Sequence, residues 1–327
     1  MYFFLIVFIL LVLVFICFQI ITSIIFNRSF SASIVETYLH YTSKRKKHAK
    51  SRKKFDKYLK RHKERSDVFI FPKIKLKSTV KEFKIKNTQI YTISKNEKPT
   101  LTIIYLHGGA YISQPLKYHW KFCDKLASNL NAKIIFPIYP LTPNHHWDES
   151  FELLKNIYFY LQEKENLPIV LMGDSSGGGL ALSFTEFLAI HNLPQPHHLI
   201  LLSPWLDITL SHPLIYDYEK KDPMLAVEPL REIGLIWSGT LNPKDYRVSP
   251  FYGDASKINN ITMFVGTREL LYPEITQFHK DLLDKNVNCN LYIGKGMNHD
   301  FPLYPIPEAK KAQKYIYNSI KEACEIF

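Results

Sequence analysis

From Leu101 onward, short apolar runs alternate with stretches of helical spacing, and this alternation constrains the fold more than any other feature of the chain. The runs at 101–106, 133–138, 169–172, 199–202, 261–265 and 288–293 read as strands, the apolar ones covered on both faces. Between them, residues 118–130, 148–163, 178–191, 273–286 and 307–323 carry helical patterns. Strand-helix alternation of this kind implies an α/β fold with a mostly parallel central sheet flanked by helices. Two earlier segments, 68–71 and the alternating 83–93, are expected to add antiparallel strands.

Glycine use locates the chemistry. Nine of the twelve glycines sit in His107-Gly108-Gly109-Ala110, in Gly173-Asp174-Ser175-Ser176-Gly177-Gly178-Gly179, or at Gly266, Gly294 and Gly296. Glycine is kept where a backbone turns sharply or approaches another group, because it lacks a Cβ. Ser175 comes just after the run that ends at Gly173 and precedes a helix rich in small residues, which is the strand-turn-helix setting of a nucleophile elbow. In that setting the serine Oγ projects above the sheet edge, and the helix N-terminus adds positive partial charge beside a developing oxyanion. His107-Gly108-Gly109 follows another strand, so the backbone N–H groups of Gly108, Gly109 and Ser176 are candidate oxyanion-hole donors.

A general base placed after the serine is best supplied by His299, in a loop between the last strand and the terminal helix. The acid that orients it is read as Glu269, which follows the penultimate strand, with Glu274 in the same loop as the second choice. A salt bridge to Arg268 is the plainer role open to Glu269.

These motifs together resemble the hormone-sensitive-lipase-like branch of the α/β-hydrolases, with its microbial acetyl esterases and carboxylesterases. The resemblance runs from about Ile103 to Ala323, and includes Tyr139-Pro-Leu-Thr-Pro143, Ser203-Pro-Trp-Leu-Asp207, Asp222-Pro-Met224, Ser249-Pro250 and Asn298-His299-Asp300-Phe301. It implies a triad of Ser175, Glu269 and His299, an oxyanion hole of Gly108, Gly109 and Ser176, and ester hydrolysis through an acyl-enzyme without metal or cofactor. Ala110 stands where that family often has a third glycine, and Glu269 where it usually has aspartate. An amidase or peptidase using the same triad, and a noncatalytic ligand receptor on the same scaffold, are the alternative functions.

The N-terminus is of a different kind. Residues 2–26 contain no charged side chain, and 25 residues at about 1.5 Å each exceed a hydrocarbon core of about 30 Å. A cleaved signal peptide would carry a basic start and a shorter apolar stretch, so residues 1–27 read as an uncleaved transmembrane anchor. Arg28 and the cluster Lys44 to Lys47 follow it and nothing basic precedes it, which places the body in the cytoplasm. Four cysteines without paired spacing agree with that compartment.

Between Tyr41 and Arg65 the chain carries a net charge of +11, against +12 for the whole. Residues 28–66 therefore read as a polybasic linker, with an anionic membrane surface as the expected partner of residues 44–65. No nucleic-acid recognition motif accompanies the charge. Residues 67–327 form the catalytic domain, within which 204–254 is long enough for a partial lid; in this reading the family's N-terminal cap helices are replaced, at least in part, by the anchor and linker.

Overall fold

The computed structural model describes residues 2–43, 51–65, 67–85 and 87–326. Its strands are β1 (Thr79–Ile85), β2 (Thr88–Ser94), β3 (Leu101–Leu106), β4 (Ala132–Pro137), β5 (Ile169–Asp174), β6 (His198–Leu202), β7 (Ile261–Gly266) and β8 (Cys289–Gly294). They form one sheet in the order β1-β2-β4-β3-β5-β6-β7-β8. β2 runs antiparallel to both its neighbours, and from β4 to β8 every pairing is parallel. Every residue of β3, β5, β6 and β7 is buried, which is why these strands are written as unbroken apolar runs. β1 lies at one edge with Lys81, Glu82 and Lys84 exposed, and such charges protect an open edge from pairing.

The helices are α1 (Tyr2–Phe26), α2 (Phe30–Thr42), α3 (Arg52–Lys63), α4 (Lys117–Leu130), α5 (Trp147–Lys164), α6 (Ser175–Ile190), α7 (Ile215–Lys221), α8 (Val227–Ser238), α9 (Tyr272–Asp284) and α10 (Pro307–Ala323). α4 and α10 cover one face of the sheet through Trp120, Phe122, Ile316 and Ile320. α5, α6, α8 and α9 share the opposite core through Leu154, Phe184, Trp237 and Ile275. Pro273 and Pro307 sit in the first turns of α9 and α10, where a missing N–H costs no hydrogen bond.

Three sequence expectations change. Residues 68–71 are not a strand: the edge position belongs to β1. Their alternation instead puts Phe69 and Phe71 against Trp120, at ring-centroid distances of 5.7 and 4.7 Å, while Val68 and Ile70 face solvent. The 83–93 stretch is divided between β1 and β2, with Ile85 pairing with Thr88.

The third change concerns residues 28–66, which are not simply a linker. α2 and α3 are regular helices seated on the body, occupying ground the sequence reading left to an anchor and a linker. Phe55 of α3 is buried in the same core as α5 and α6, and fully burying such a side chain contributes about 1.5–3 kcal/mol. The strongest part of the basic run, residues 44–50, lies outside the described residues.

α1 is the one described helix long and apolar enough to cross a membrane. Its segment Phe3–Ile21 has a mean hydropathy of 3.4, with none of its most apolar stretch buried against the protein.

Candidate active site

Ser175 begins α6 directly after β5, with φ of 50°. A non-glycine residue in this left-handed region is strained, and the surroundings hold it there by close packing. A Cβ at Gly173 would lie 2.3 Å from the Gly177 carbonyl oxygen, and one at Gly177 would lie 2.1 Å from the Leu106 carbonyl oxygen. The elbow therefore closes only because both positions lack side chains.

Asp174, inside the same motif, joins the elbow to the glycine loop after β3. Its buried carboxylate accepts from Tyr105 Oη at 2.6 Å and from the Gly108 N–H at 2.9 Å, and His119 Nε2 lies 3.1 Å away. Burial works against this charge, but His119 and Tyr105 more than offset it, so Asp174 is held below the ordinary carboxylate range.

The same bond corrects one sequence expectation. The Gly108 N–H is committed to Asp174 and is not directed at a substrate oxygen. The next residues, Gly109, Ala110 and Tyr111, have φ of 136°, 56° and 58°. This bends the loop over Ser176, whose Oγ accepts from the Tyr111 N–H at 3.2 Å. His107 stacks on Tyr139 at 4.5 Å, and burial pushes its imidazole down to about 3, so it is a neutral wall of the site rather than a second base.

On the other side of Ser175, His299 Nε2 lies 2.9 Å from Ser175 Oγ. His299 Nδ1 lies 3.6 Å from Glu269 Oε2, within ion-pair reach and beyond a hydrogen bond. Both side chains are buried. Glu269 Oε2 also accepts from Ser203 Oγ at 2.8 Å, and Ser203 Oγ in turn accepts from the Asp300 N–H at 3.1 Å. Asp222 fastens the turn after Glu269 by accepting the Leu270 N–H at 2.7 Å.

Glu274 is buried as well, its carboxyl turned toward the backbone of Leu206 and Asp207. Burial, with Asp207 adding repulsion, pushes it well above the ordinary range. The structure thus brings Glu269, not Glu274, to His299. It also adds Asp300, whose Oδ2 lies 3.2 Å from His299 Nε2. Burial disfavours the imidazolium, but Asp300, Glu269 and Asp222 together outweigh that cost and raise His299 to about 9.

Ser203, Asp222 and Asp300 all lie in the short motifs of the sequence, yet their parts are set by contacts 66, 48 and 97 positions away in the chain. Among the described residues, no group of three or more His, Cys, Asp or Glu is arranged to hold a metal ion. A separate cavity of about 680 Å³ lies between the start of β2 and α5, lined by Gln89, Tyr139, His145 and Glu149, and no triad candidate lines it.

Comparison with known proteins follows this geometry closely. The pattern of a family described as alpha/beta hydrolase fold matches residues 103–303. An esterase of Acinetobacter venetianus is 30% identical over 225 residues, covering 67% of this chain and 74% of that protein. A solved structure from Staphylococcus aureus superposes with a TM-score of 0.79 at 31% identity, covering 83% of this chain and 93% of that one. An esterase from the bacterial hormone-sensitive lipase family shares the fold with a TM-score of 0.76 at 21% identity, covering 91% and 99%. The chain belongs to the α/β-hydrolase family, among its esterases.

Proposed function

We propose that this serine ester hydrolase works through Ser175 as nucleophile, His299 as general base and Glu269 as the acid that orients it. The observation that carries this reading is the 2.9 Å contact of His299 Nε2 with Ser175 Oγ at a strained elbow. His299 takes the Oγ proton as Ser175 attacks the acyl carbonyl, then returns it to the leaving alcohol. Water, deprotonated by the same imidazole, releases the acyl group. Glu269 sits at 3.6 Å from Nδ1, a spacing that substrate-bound geometry commonly shortens.

The oxyanion donors are the backbone N–H groups of Gly109, Ala110 and Ser176. Gly108 is spent on Asp174, the following two N–H groups have no acceptor among the described residues, and Ser176 is in the first turn of α6, where N–H groups lack helical partners. Substrates are short- to medium-chain acyl esters. Trp237 of α8 stacks on Tyr111 at 4.1 Å, which supports the reading of residues 204–254 as a partial lid beside the acyl site.

Residues 1–27 form a single-pass anchor with the catalytic body in the cytoplasm, and residues 44–65 meet an anionic membrane surface. Support comes from the exposed apolar length of α1 and from Ile34, Tyr38 and Tyr41 lining the outer side of α2. α3 adds Lys53, Lys54, Lys57, Lys60 and Arg61 on its exposed side. A reporter fused after Phe327 and active only outside the membrane would overturn the orientation.

The decisive experiment is turnover of chromogenic esters from acetyl to dodecanoyl by the full chain, with Ser175→Ala beside it. Loss of about 10⁴-fold or more in kcat on that substitution is expected. Unchanged turnover would remove Ser175 from the mechanism.

A further inference from the structure

The triad acid and base stand on two loops that are already fastened to each other. The Arg268 N–H donates to the Met297 carbonyl at 2.9 Å, the Thr267 N–H to the Gly294 carbonyl at 3.0 Å, and the Gly296 N–H to Thr267 Oγ1 at 2.9 Å. A Cβ at Gly266 would lie 2.3 Å from the Met297 carbonyl oxygen, so the acid turn and the base loop touch backbone to backbone. What approaches this junction from outside is α2, the helix that follows the apolar α1 within a few residues.

Glu36 of α2 receives Arg268 in a two-pronged pair, Nε to Oε2 at 3.1 Å and Nη2 to Oε1 at 2.9 Å. It also receives Arg28, and that guanidinium points its Nη1 at the Gly296 carbonyl 3.4 Å away. Arg28 and the Glu36 side chain are largely buried, at 6% and 16% exposure. Arg28 is further held by Ser33, through Nε to Oγ at 3.0 Å. One carboxylate therefore separates two guanidinium groups, one belonging to the residue before Glu269 and the other reaching the loop that carries His299.

We propose that Glu36 is a positioning residue for the catalytic acid and base, acting through Arg268 and Arg28. The proposal rests on the Ser175-His299-Glu269 reading. The physical argument is the slack in the pair it serves: Glu269 and His299 stand at 3.6 Å, so a displacement of well under 1 Å decides whether they share a hydrogen bond. Without the Glu36 charge, Arg28 and Arg268 face each other at a largely buried junction, and their repulsion drives the acid turn away from the base loop. A misplacement of that size lowers the rate of a positioned reaction while leaving binding of the substrate nearly untouched.

The test uses the full chain in detergent and reads both turnover of a chromogenic butyrate ester and the rate at which a fluorophosphonate labels Ser175 across pH. In Glu36→Gln, kcat and the labelling rate are expected to fall about tenfold with KM within about twofold of wild type. The ascending limb of the pH profile is expected to move to lower pH, because Glu269 no longer supports the imidazolium. Glu36→Asp keeps the charge and is expected to fall between Glu36→Gln and wild type, which serves if the amide variant does not fold. Glu36→Gln combined with Arg268→Gln should be no slower than the slower single variant, since both break one link.

A lower melting temperature with unchanged kcat, labelling rate and pH limb would overturn the proposal and leave Glu36 a purely structural residue. Multiplicative losses in the double variant would also overturn it. Failure of the label to reach Ser175 in the wild-type chain would instead sink the triad reading beneath it.

Discussion

The two sides of Ser175 hold the groups proposed for catalysis by different means. On the oxyanion side the chain is interlocked backbone to backbone, and a buried Asp174 takes two donors outright with His119 close by. On the base side the acid turn and base loop meet as closely, but the working groups themselves are held by side chains. Glu269 has Ser203 as its hydrogen-bond donor, its Oε1 has none, and His299 stands 3.6 Å off. Electrostatics follow that contrast. Asp174 is kept below the ordinary range by its partners, whereas burial raises Glu269, with His299 and Ser203 only partly opposing it. The oxyanion side is fixed by exclusion of volume; the base side retains slack that charges must take up.

The largest effect that would sharpen this contrast is expected at Gly177. Gly177→Ala puts a Cβ against the Leu106 carbonyl oxygen with no flexible side chain to yield, and a loss of about 3 kcal/mol or more is expected. Thermal denaturation and ester turnover measure it together; a wild-type melt with full activity would break the interlock argument. On the base side, Glu269→Gln is expected to lower kcat by about 10² to 10⁴-fold with little change in melting temperature. Glu274→Gln, at a carboxyl equally buried but remote from His299, should leave kcat within about twofold. The reverse ranking would reassign the acid.

The smallest effect concerns Asp300, which faces the imidazole from the Ser175 side. His299 is raised to about 9, so its basic form accumulates only as pH climbs through that value, and the rate should rise with it. Asp300→Asn removes one supporting charge and should shift the ascending limb down by about one unit. The sign for stability runs the same way. A histidine raised on folding stabilises fully below its unfolded value of about 6.5 and loses that contribution as pH rises through about 9, so the wild type should lose more stability over this window than the variant. An unmoved limb would show that Asp300 does not tune the base.

Strands β3, β5, β6 and β7 were readable because burial on both faces leaves no alternative to unbroken apolar runs. The proposed Ser175 and His299 were picked out by glycines that tight turns need at the ends of those strands. Residues 68–71 misled because alternation reports which side chains are buried, not whether a neighbouring strand exists to pair with them. Residues 28–66 misled differently: their charge dominated the composition, while Ser29, Glu36, Ser43 and Phe55 are among the residues whose contacts seat α2 and α3 on the body.

By itself, the sequence determined the class of sheet, the position of the elbow, and the order in which the proposed nucleophile, acid and base arrive, since periodicity and glycine placement are local properties. Tertiary structure alone decided which of two glutamates reaches His299, and that Gly108 serves Asp174 instead of a substrate. It also decided that the segment after the apolar helix grips the catalytic loops. Each of those outcomes rests on a hydrogen bond or ion pair between residues far apart in the chain, and the direction of a donor toward its acceptor exists only once the backbone has been folded around both.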